Sequence, residues 1–376
     1  MRRRYLLAQG FRVSRKLLGV ELARHSQLFA SMIKFTPASA GIIVTENCNS
    51  RCMTCTQWHQ KSSNELSLIE ISDTLKQLKG LGIHGITFSG GEPLLRKDLS
   101  AMVRECSVLK FDDVAILTNG LLLTPSLAEQ LLQGGVTTIG ISIDGLRDTN
   151  DMIRGVKGSF EKNLSVLKML TNLRDNKYKS LDLYVATTLM KPTLADIIPL
   201  ANLLGSMRIK INFNLIDTSL YFFSSINGAD LMIKDQHQLN SVVDGLHMLK
   251  TKHGDIFHVS HTHASFEYIR SYFQDPKRKD VPCMLGHTSI DIGAHGEVYS
   301  GCLAMEPMGN IREKSLTDIL RSAEYKIRLH DMFYKKCPGC SCGYKMNLFY
   351  HLPWIRDELY WRIKMRRAQL WSRSRK

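Results

Sequence analysis

Three cysteines lie within eight residues near the start of the chain: Cys48, Cys52 and Cys55. The segment follows directly on an apolar β-like run at residues 42–45. Three thiolates this close together can all turn toward one point only in a loop wrapped around a metal centre. Structural zinc and a fully ligated cubane cluster both want four ligands, and His59 is the only further candidate nearby. Three thiolates leave one metal position open for catalysis, and a zinc knuckle completed by His59 is the alternative.

A second, looser group of cysteines lies near the end of the chain, at Cys283, Cys302, Cys337, Cys340 and Cys342. Five cysteines that converge from separated segments predict a four-thiolate site with one spare thiol. Cys337 and Cys340 are spaced so that two metal ligands can lie on one tight turn. On spacing alone, zinc is an alternative metal for this site.

The elements that must position these residues alternate regularly between residues 40 and 255. Apolar β-like runs alternate there with amphipathic helical stretches. The predicted strands are Gly41–Thr45, Gly85–Phe88, Val114–Thr118, Thr138–Ser142, Leu181–Thr188 and Ile209–Leu215. Six β-then-α units in succession predict parallel strands joined by right-handed crossovers. Because a closed barrel of this type has eight units, we expect an α/β fold with an open-sided, partial (β/α)6 barrel.

Glycine and polar residues follow the second, third and fourth predicted strands, in order Gly90, Gly91 and Glu92, then Asn119, then Ser142 and Asp144. Segments that follow parallel strands share one rim of the sheet, so these turns would face the cysteine loop. Glycines let a ligand approach the backbone closely, and Glu92 could accept a hydrogen bond from a ligand ammonium. The four segments together therefore predict a ligand site on this rim.

With these motifs the sequence resembles the radical S-adenosylmethionine (radical SAM) superfamily over roughly residues 40–255. The resemblance rests on the CxxxCxxC motif, on Gly90-Gly91-Glu92-Pro93, and on the segment from Ser142 through Arg154-Gly155 to Gly158-Ser159-Phe160. It implies a [4Fe–4S] cluster held by Cys48, Cys52 and Cys55, with S-adenosylmethionine (SAM) chelating the fourth iron. One electron from a flavodoxin- or ferredoxin-type donor would cleave SAM and release a 5′-deoxyadenosyl radical. That radical would take a hydrogen atom from the substrate.

The resemblance also implies which residues bind SAM: Gly90, Gly91, Glu92, Asn119, Ser142, Asp144 and Arg154. The glycines and Glu92 resemble contacts to the methionine ammonium. Ser142 resembles the ribose contact, and Arg154 could pair with the carboxylate. Thr54 departs from the family pattern, which usually places an aromatic or large apolar residue beside the adenine.

Beside such a core, the second cysteine group resembles the SPASM extension in its shorter, single-cluster form. The resemblance implies an auxiliary [4Fe–4S] cluster with ligands among Cys283, Cys302, Cys337 and Cys340, and with Cys342 as an alternative ligand. Gly296 and Cys302 stand one residue further apart than in the family pattern. A spare thiol, Cys342, could instead donate a hydrogen atom to a product radical. No other catalytic residue is indicated by a motif.

The formal net charge of +15 is concentrated at the two ends of the chain. Residues 1–25 carry a net charge of +6 and residues 343–376 a net charge of +7, so the body is close to neutral. This distribution argues against nucleic-acid binding. The C-terminal segment also holds three of the four tryptophans. Aromatic residues among Lys and Arg suit an anionic membrane surface, and the alternative is two helices that pack on the barrel with a solvated basic face.

No apolar run approaches the ~18–20 residues that span a bilayer, so we do not expect a membrane-spanning protein. Arg12, Arg15 and Lys16 interrupt the N-terminal apolar stretch before it could act as an export signal. We therefore expect a cytoplasmic protein, peripheral at the inner membrane face, with reduced cysteines. The predicted divisions are a basic N-terminal segment (1–39), the core (40–255), the Cys-rich extension (256–343) and a basic aromatic C-terminal helix (344–376).

Three histidines, His258, His261 and His263, lie in a polar stretch after the predicted core. Because they share no helical face, we expect them on an ordinary polar surface rather than at a metal site.

Three functions compete at this point. The leading hypothesis is a radical SAM enzyme acting at the membrane face on a lipid-linked or envelope glycan precursor. The second is a modifier of ribosomally made peptides. It ranks second because the ~40 residues before the first strand are too few to form a fused leader-binding domain, so a standalone partner protein would have to bind the leader. The third is a non-enzymatic iron–sulfur electron carrier or zinc-stabilised binding module. No motif indicates the substrate or the fate of its radical.

Overall fold

The computed structural model describes residues 17–32, 36–59, 62–216, 228–276, 280–337 and 343–373. The predictions for Cys340 and Cys342, and those for residues 1–16, lie outside the described residues.

The described strands are β1 (Ser39–Thr45), β2 (Gly85–Gly90), β3 (Asp113–Thr118), β4 (Thr138–Ser142), β5 (Asp182–Leu189), β6 (Lys210–Leu215), β7 (Ser289–Ile292), β8 (Glu297–Tyr299) and β9 (Gly309–Asn310). The six strands predicted from the sequence are confirmed to within two residues at each end.

The described helices are α1 (residues 17–25), α2 (Leu68–Gly80), α3 (Leu99–Val108), α4 (Pro125–Gly134), α5 (Arg147–Arg154), α6 (Ser159–Asn176), α7 (Ile197–Ser206), α8 (Gln236–Lys252), α9 (His263–Gln274), α10 (Leu285–Thr288), α11 (Leu316–Arg321), α12 (Ala323–Phe333), α13 (Tyr344–Phe349) and α14 (Leu352–Arg373). Short 3₁₀ turns lie between several of them.

All nine described strands form one sheet in the order β6-β5-β4-β3-β2-β1-β7-β8-β9. Strands β1 to β6 pair in parallel with their neighbours, and β7 also joins β1 in parallel. Strands β8 and β9 are added antiparallel. The partial parallel barrel is therefore confirmed, and the extension continues the same sheet beyond β1.

Alternate residues of the strands face two different environments. On β5, Leu183 and Val185 are buried against the helix layer, whereas Ala186 and Thr188 line a cavity on the concave side. The apolar core thus lies between the sheet and its helices, and the concave side is left for a ligand.

Local sequence signals explain where the outer helices begin and end. Ser67 and Glu70 form a capping box at the start of α2. Helix α4 begins with Pro125 after the cap Thr124, and it ends at Gly135, whose φ of 110° is left-handed. These helices carry the buried stripes that pack on the sheet.

The free edge of β6 is covered by the chain that follows α8 and by α13. Ile211 forms a bridge with Phe257, and the backbone N–H of Phe213 donates to the Nε2 atom of His261 at 2.8 Å. Lys345 Nζ donates to the carbonyl oxygen of Phe213 at 2.6 Å. An edge strand with unpaired backbone groups is thereby protected.

The expectation that His258, His261 and His263 form a polar surface is wrong for two of them. His261 and His263 are buried, and His263 Nδ1 lies 2.7 Å from Nδ1 of His247. The two histidines join the core because each has a polar partner there, which a sequence pattern does not reveal.

The extension is attached to the core and also to α1. Val20 and Ala23 of α1 pack against Met284 and Phe333, which belong to the extension. Arg312 forms an ion pair with Glu70 of α2 at 2.7 Å. Among the described residues, no helix is long and apolar enough to cross a membrane.

Candidate functional site

A cavity of about 490 Å³ opens at the carboxyl ends of the parallel strands. Its wall includes Cys48, Cys52 and Cys55 on one side and Asn214 at the end of β6 on the other. Five of the seven residues predicted to bind SAM line this cavity, namely Gly90, Gly91, Asn119, Ser142 and Arg154. The structure therefore brings the cysteine loop and the rim turns to one place, as the parallel sheet requires.

Glycines after β2 allow the turn to pack directly on the start of the cysteine loop. A Cβ on Gly90 would fall far inside van der Waals contact with the carbonyl oxygen of Thr45, and one on Gly91 would overlap that of Asn47. The space is used by hydrogen bonds: the N–H of Gly91 donates to Thr45 O and that of Glu92 to Asn47 O, both at 2.8 Å. The glycines are thus needed for backbone packing as well as for any ligand approach.

Glu92 lies behind the cavity wall and ties two rim turns together. Its Oε1 accepts from the Thr118 hydroxyl at 2.6 Å and from the Leu94 N–H at 3.0 Å, while its Oε2 accepts from the Asn119 N–H at 2.7 Å. Burial raises the pKa of this carboxyl, although the three donors favour its charged form. Its contact with a ligand ammonium stays a prediction.

Asn119 braces the cysteine loop from the turn after β3. Its Nδ2 donates to Asn49 Oδ1 at 2.7 Å and to Ser50 Oγ at 3.0 Å. Because both acceptors lie between Cys48 and Cys52, this side chain fixes the first half of the loop.

The end of α5 holds the second half of the cysteine loop. The N–H of Arg51 donates to Arg154 O at 3.1 Å, and that of Met53 to Ile153 O at 2.9 Å. Gly155, with a φ of 63°, ends the helix at a point where a Cβ would overlap Arg51 O. Cys52 is therefore flanked by two backbone hydrogen bonds to the same helix end.

A buried ion pair adjoins Cys52. The Nη2 of Arg154 lies 2.6 Å from Asp144 Oδ2, and its Nη1 lies 3.9 Å from Cys52 Sγ. The side chain of Asp144 is only 2% exposed and that of Arg154 only 16%. Burial is the largest single influence and would lower the pKa of Arg154, but Asp144, Cys52 and Cys48 together outweigh it and raise the pKa, so the guanidinium stays charged.

Trp58 is a cavity residue that the sequence argument missed. Its Nε1 donates to Cys52 O at 3.2 Å, and its ring lines the cavity together with Thr54. His59 stacks on this ring with centroids 3.6 Å apart and is exposed. The only signal was a tryptophan three residues after Cys55, outside the CxxxCxxC motif.

The chemistry of the three thiols fits a metal cluster. Burial raises the pKa of Cys48 to about 11 and also raises those of Cys52 and Cys55. Iron would bind these cysteines as thiolates, so cluster binding would release their protons. Within the described ranges, no three His, Cys, Asp or Glu side chains lie close enough to hold a single ion.

The described cysteines of the extension lie on segments that pack together. The N–H of Cys283 donates to Phe333 O at 3.4 Å, which places it near the end of α12 that leads to Cys337. Ser300, two residues before Cys302, donates to Met332 Sδ at 2.9 Å. Three of the five predicted ligands thus belong to neighbouring segments.

Family models match two stretches of the chain. The model of the Radical SAM superfamily matches residues 42–203. The SPASM model, described as an iron–sulfur cluster-binding domain, matches residues 283–343.

Two curated relatives from one organism match over most of their length. An AdoMet-dependent heme synthase of Methanosarcina barkeri is 31% identical over 314 residues, which cover 80% of this chain and 87% of that protein. The Fe-coproporphyrin III synthase of the same organism is 26% identical and covers 78% of this chain and 76% of that protein.

Solved structures share the fold. Native anSMEcpe with bound AdoMet and a Kp18Cys peptide has a TM-score of 0.64 at 18% identity, covering 86% of this chain and 99% of that one. Streptococcus suis SuiB has a TM-score of 0.62 at 17% identity, and the match covers 80% of this chain and 70% of SuiB.

Proposed function

The chain belongs to the radical SAM superfamily and carries a SPASM iron–sulfur extension, and on that premise we propose that it abstracts a hydrogen atom from an amphipathic substrate at an anionic membrane surface. Membership makes the chain an enzyme that uses SAM and a [4Fe–4S] cluster, with iron–sulfur binding in the extension. The electron-carrier and zinc-module alternatives are therefore not retained.

Cys48, Cys52 and Cys55 are the proposed ligands of the SAM cluster, because they line the cavity on a loop held by three elements. When bound, the cluster and SAM supply the hydrogen-abstracting 5′-deoxyadenosyl group. The rim turns would position SAM, with Ser142 at the ribose and the ring of Trp58 available beside Thr54. Cys283, Cys302, Cys337 and Cys340, with Cys342 as the alternative, are the proposed auxiliary ligands.

The enzyme requires a low-potential reductant, and we propose a flavodoxin- or ferredoxin-type protein for this role. Arg51 lies within the cysteine loop, next to Cys52, and is exposed. An exposed cation at that position suits the acidic surfaces that small electron carriers present.

The membrane proposal rests on helix α14. One face of this helix packs on α8 and α9. Glu358 Oε2 accepts the N–H of Ala264, in the first turn of α9, at 3.0 Å. The Trp361 ring stacks on His247 with centroids 4.2 Å apart. These contacts fix the rotation of α14 about its own axis.

The opposite face of α14 leaves large apolar side chains in solvent. Leu359 is 58% exposed and Ile363 is 56% exposed, and Leu352 lies about two turns before Leu359 along the same stripe. Arg356 and Arg362 flank them. Apolar side chains bordered by arginines are typical of helices that lie in the headgroup layer of anionic membranes. This exposed stripe is the observation that carries the proposal.

Two substrate classes follow. The first is a lipid-linked or envelope glycan precursor, which the membrane face would present to the open side of the barrel. The second is a carboxylate-bearing tetrapyrrole, favoured because relatives matched over most of their length are named for heme and coproporphyrin chemistry.

Anaerobic turnover distinguishes these classes. Reconstituted full-length protein with dithionite and SAM should form 5′-deoxyadenosine above its substrate-free rate when the substrate class is right. A membrane lipid extract, Fe-coproporphyrin III and buffer would be compared in parallel. Stimulation only by the tetrapyrrole would overturn the lipid or glycan class, and co-sedimentation with neutral vesicles as well as with phosphatidylglycerol vesicles would overturn the anionic-surface proposal.

A further inference from the structure

Arg154 stands between a carboxylate and a predicted cluster ligand. It is the last residue of α5, and its two terminal nitrogens face different partners: Nη2 contacts Asp144 at 2.6 Å and Nη1 lies 3.9 Å from Cys52 Sγ. Its Nε is buried without a hydrogen-bond partner among the described residues.

The carboxylate of Asp144 is fixed from several sides. Its Oδ1 accepts the N–H of Thr188 at 2.6 Å, and the backbone N–H of Asp144 donates to the fully buried Asn150 at 2.9 Å. Asp144 therefore cannot follow the guanidinium if Arg154 moves. Because the guanidinium is planar, fixing its Nη2 edge also fixes where Nη1 points.

We infer that Arg154 is a positioning residue that raises the reduction potential of the cluster by holding a fixed cation beside the Cys52 ligand, and that Asp144 limits this effect. The inference rests on the proposed role of Cys52 as a cluster ligand. One-electron reduction adds one negative charge to the cluster, so a nearby cation stabilises the reduced form and a nearby carboxylate destabilises it. Outer-shell charges and hydrogen bonds to sulfur are known determinants of metal-site potentials.

This role is separate from the predicted pairing of Arg154 with the SAM carboxylate. Nη1 and Nη2 each contact one protein group and keep a second N–H, and Nε has no partner among the described residues, so donors remain for a ligand carboxylate. A charge effect on the cluster exists before SAM binds, whereas carboxylate pairing requires SAM. The two roles therefore differ in whether SAM must be present.

The test is a redox titration of the reconstituted full-length protein, followed by the EPR signal of the reduced SAM cluster in the absence of SAM. All variants carry Cys283→Ala and Cys302→Ala, which removes the EPR signal of the auxiliary cluster. Dithionite supplies the one electron that reduces the SAM cluster. Arg154→Gln should make reduction at least tenfold less favourable, a shift of about 59 mV to more negative potential. Asp144→Asn should shift the potential the opposite way, and Arg154→Lys should stay near the unsubstituted value.

Arg147→Gln is the matched control. Arg147 begins the same helix and is 70% exposed in a pair with Glu161, so removing its charge should leave the potential unchanged. Iron and sulfide content are measured for every variant.

The inference is overturned if Arg154→Gln keeps full cluster content and the original potential, or if Asp144→Asn shifts the potential in the same direction as Arg154→Gln. If Arg154→Gln holds no cluster, Asp144→Asn decides: a shift to more positive potential supports the inference, and no shift or a shift to more negative potential overturns it. A Cys52→Ala variant that retains the SAM cluster would instead show that the proposed ligand assignment has failed.

Discussion

The cysteine loop, residues 46–59, and helix α14 are both attached to the β/α core, but by different kinds of contact. The loop is held through backbone hydrogen bonds to the turn after β2 and to the end of α5, with the buried Asp144–Arg154 pair beside it. Helix α14 is held through side chains, by the hydrogen bond that Glu358 accepts and by ring contacts of Trp354 and Trp361 with α8 and α9, and its other face is exposed. A reactive centre needs fixed geometry, whereas a helix that meets a surface needs only its orientation.

The largest effect is expected where the loop meets the β2 turn. In Gly91→Ala the new Cβ would overlap the carbonyl oxygens of Asn47 and Glu46, so the backbone of the loop must move. We expect the free energy of unfolding to fall by more than about 3 kcal/mol and the iron content to be lost.

Gly80→Ala in α2 is the control for this change. No atom lies within 4 Å of the position that a Cβ would take at residue 80. We therefore expect Gly80→Ala to leave the free energy of unfolding in urea unchanged or to raise it by up to about 1 kcal/mol. Equal losses in the two variants would contradict the backbone-packing argument.

A smaller loss is expected when the buried carboxylate behind the rim changes. Glu92→Gln keeps the size of the side chain but places an amide N–H₂ against the donors that Glu92 now accepts from, Thr118, Asn119 and Leu94. We expect a loss of about 2 kcal/mol in the free energy of unfolding, together with weaker SAM binding by equilibrium dialysis. Unchanged stability would show that the carboxylate does not hold the two turns together.

On the other side of the comparison, Glu358→Ala should loosen α14 and the start of α9 and leave the cysteine loop unchanged. It removes the acceptor for the buried N–H of Ala264, which costs about 1–2 kcal/mol. Hydrogen exchange in α14 should accelerate while the cysteine loop stays protected. The control is Asp357→Ala, which removes a carboxylate one residue earlier and should change neither the stability nor the hydrogen exchange of α14. Faster exchange in both α14 and the cysteine loop after Glu358→Ala would mean that the two attachments are coupled.

The smallest effect on stability is expected on the exposed stripe of α14. The double variant Leu359→Glu/Ile363→Glu should leave the free energy of unfolding within about 0.5 kcal/mol per site. It should abolish co-sedimentation with phosphatidylglycerol vesicles, because it removes apolar contact and adds negative charge. Val108→Glu, at another exposed apolar site, should still co-sediment; binding that survives the double variant would remove α14 from the membrane proposal.

The sequence was informative where chemistry is local. Strand alternation, the glycines after β2 and the CxxxCxxC spacing each depend on neighbouring residues, so the six strands and the meeting of cysteines and turns at one rim followed from pattern alone. The strands β7 to β9 are two to four residues long and leave no periodicity, so their addition to the same sheet was not predictable.

Long-range polar pairing was also beyond the sequence. The residues near Glu92 in the sequence do not indicate that its carboxylate is buried and accepts three hydrogen bonds from two turns. Nor does the sequence indicate that Asp144 pairs with Arg154 beside Cys52. The same holds for His263, which is buried because His247 lies on a neighbouring helix. Such partners are chosen by the tertiary fold, which no local pattern encodes.

The central claim is that SAM is cleaved at the cavity built around Cys48, Cys52 and Cys55. The most direct test is anaerobic reconstitution followed by quantification of 5′-deoxyadenosine after addition of dithionite and SAM. The unsubstituted protein should form 5′-deoxyadenosine, and Cys48→Ala/Cys52→Ala/Cys55→Ala should form none while the iron of the extension is retained. Equal formation by both proteins, or none by the fully loaded unsubstituted protein, would contradict the claim.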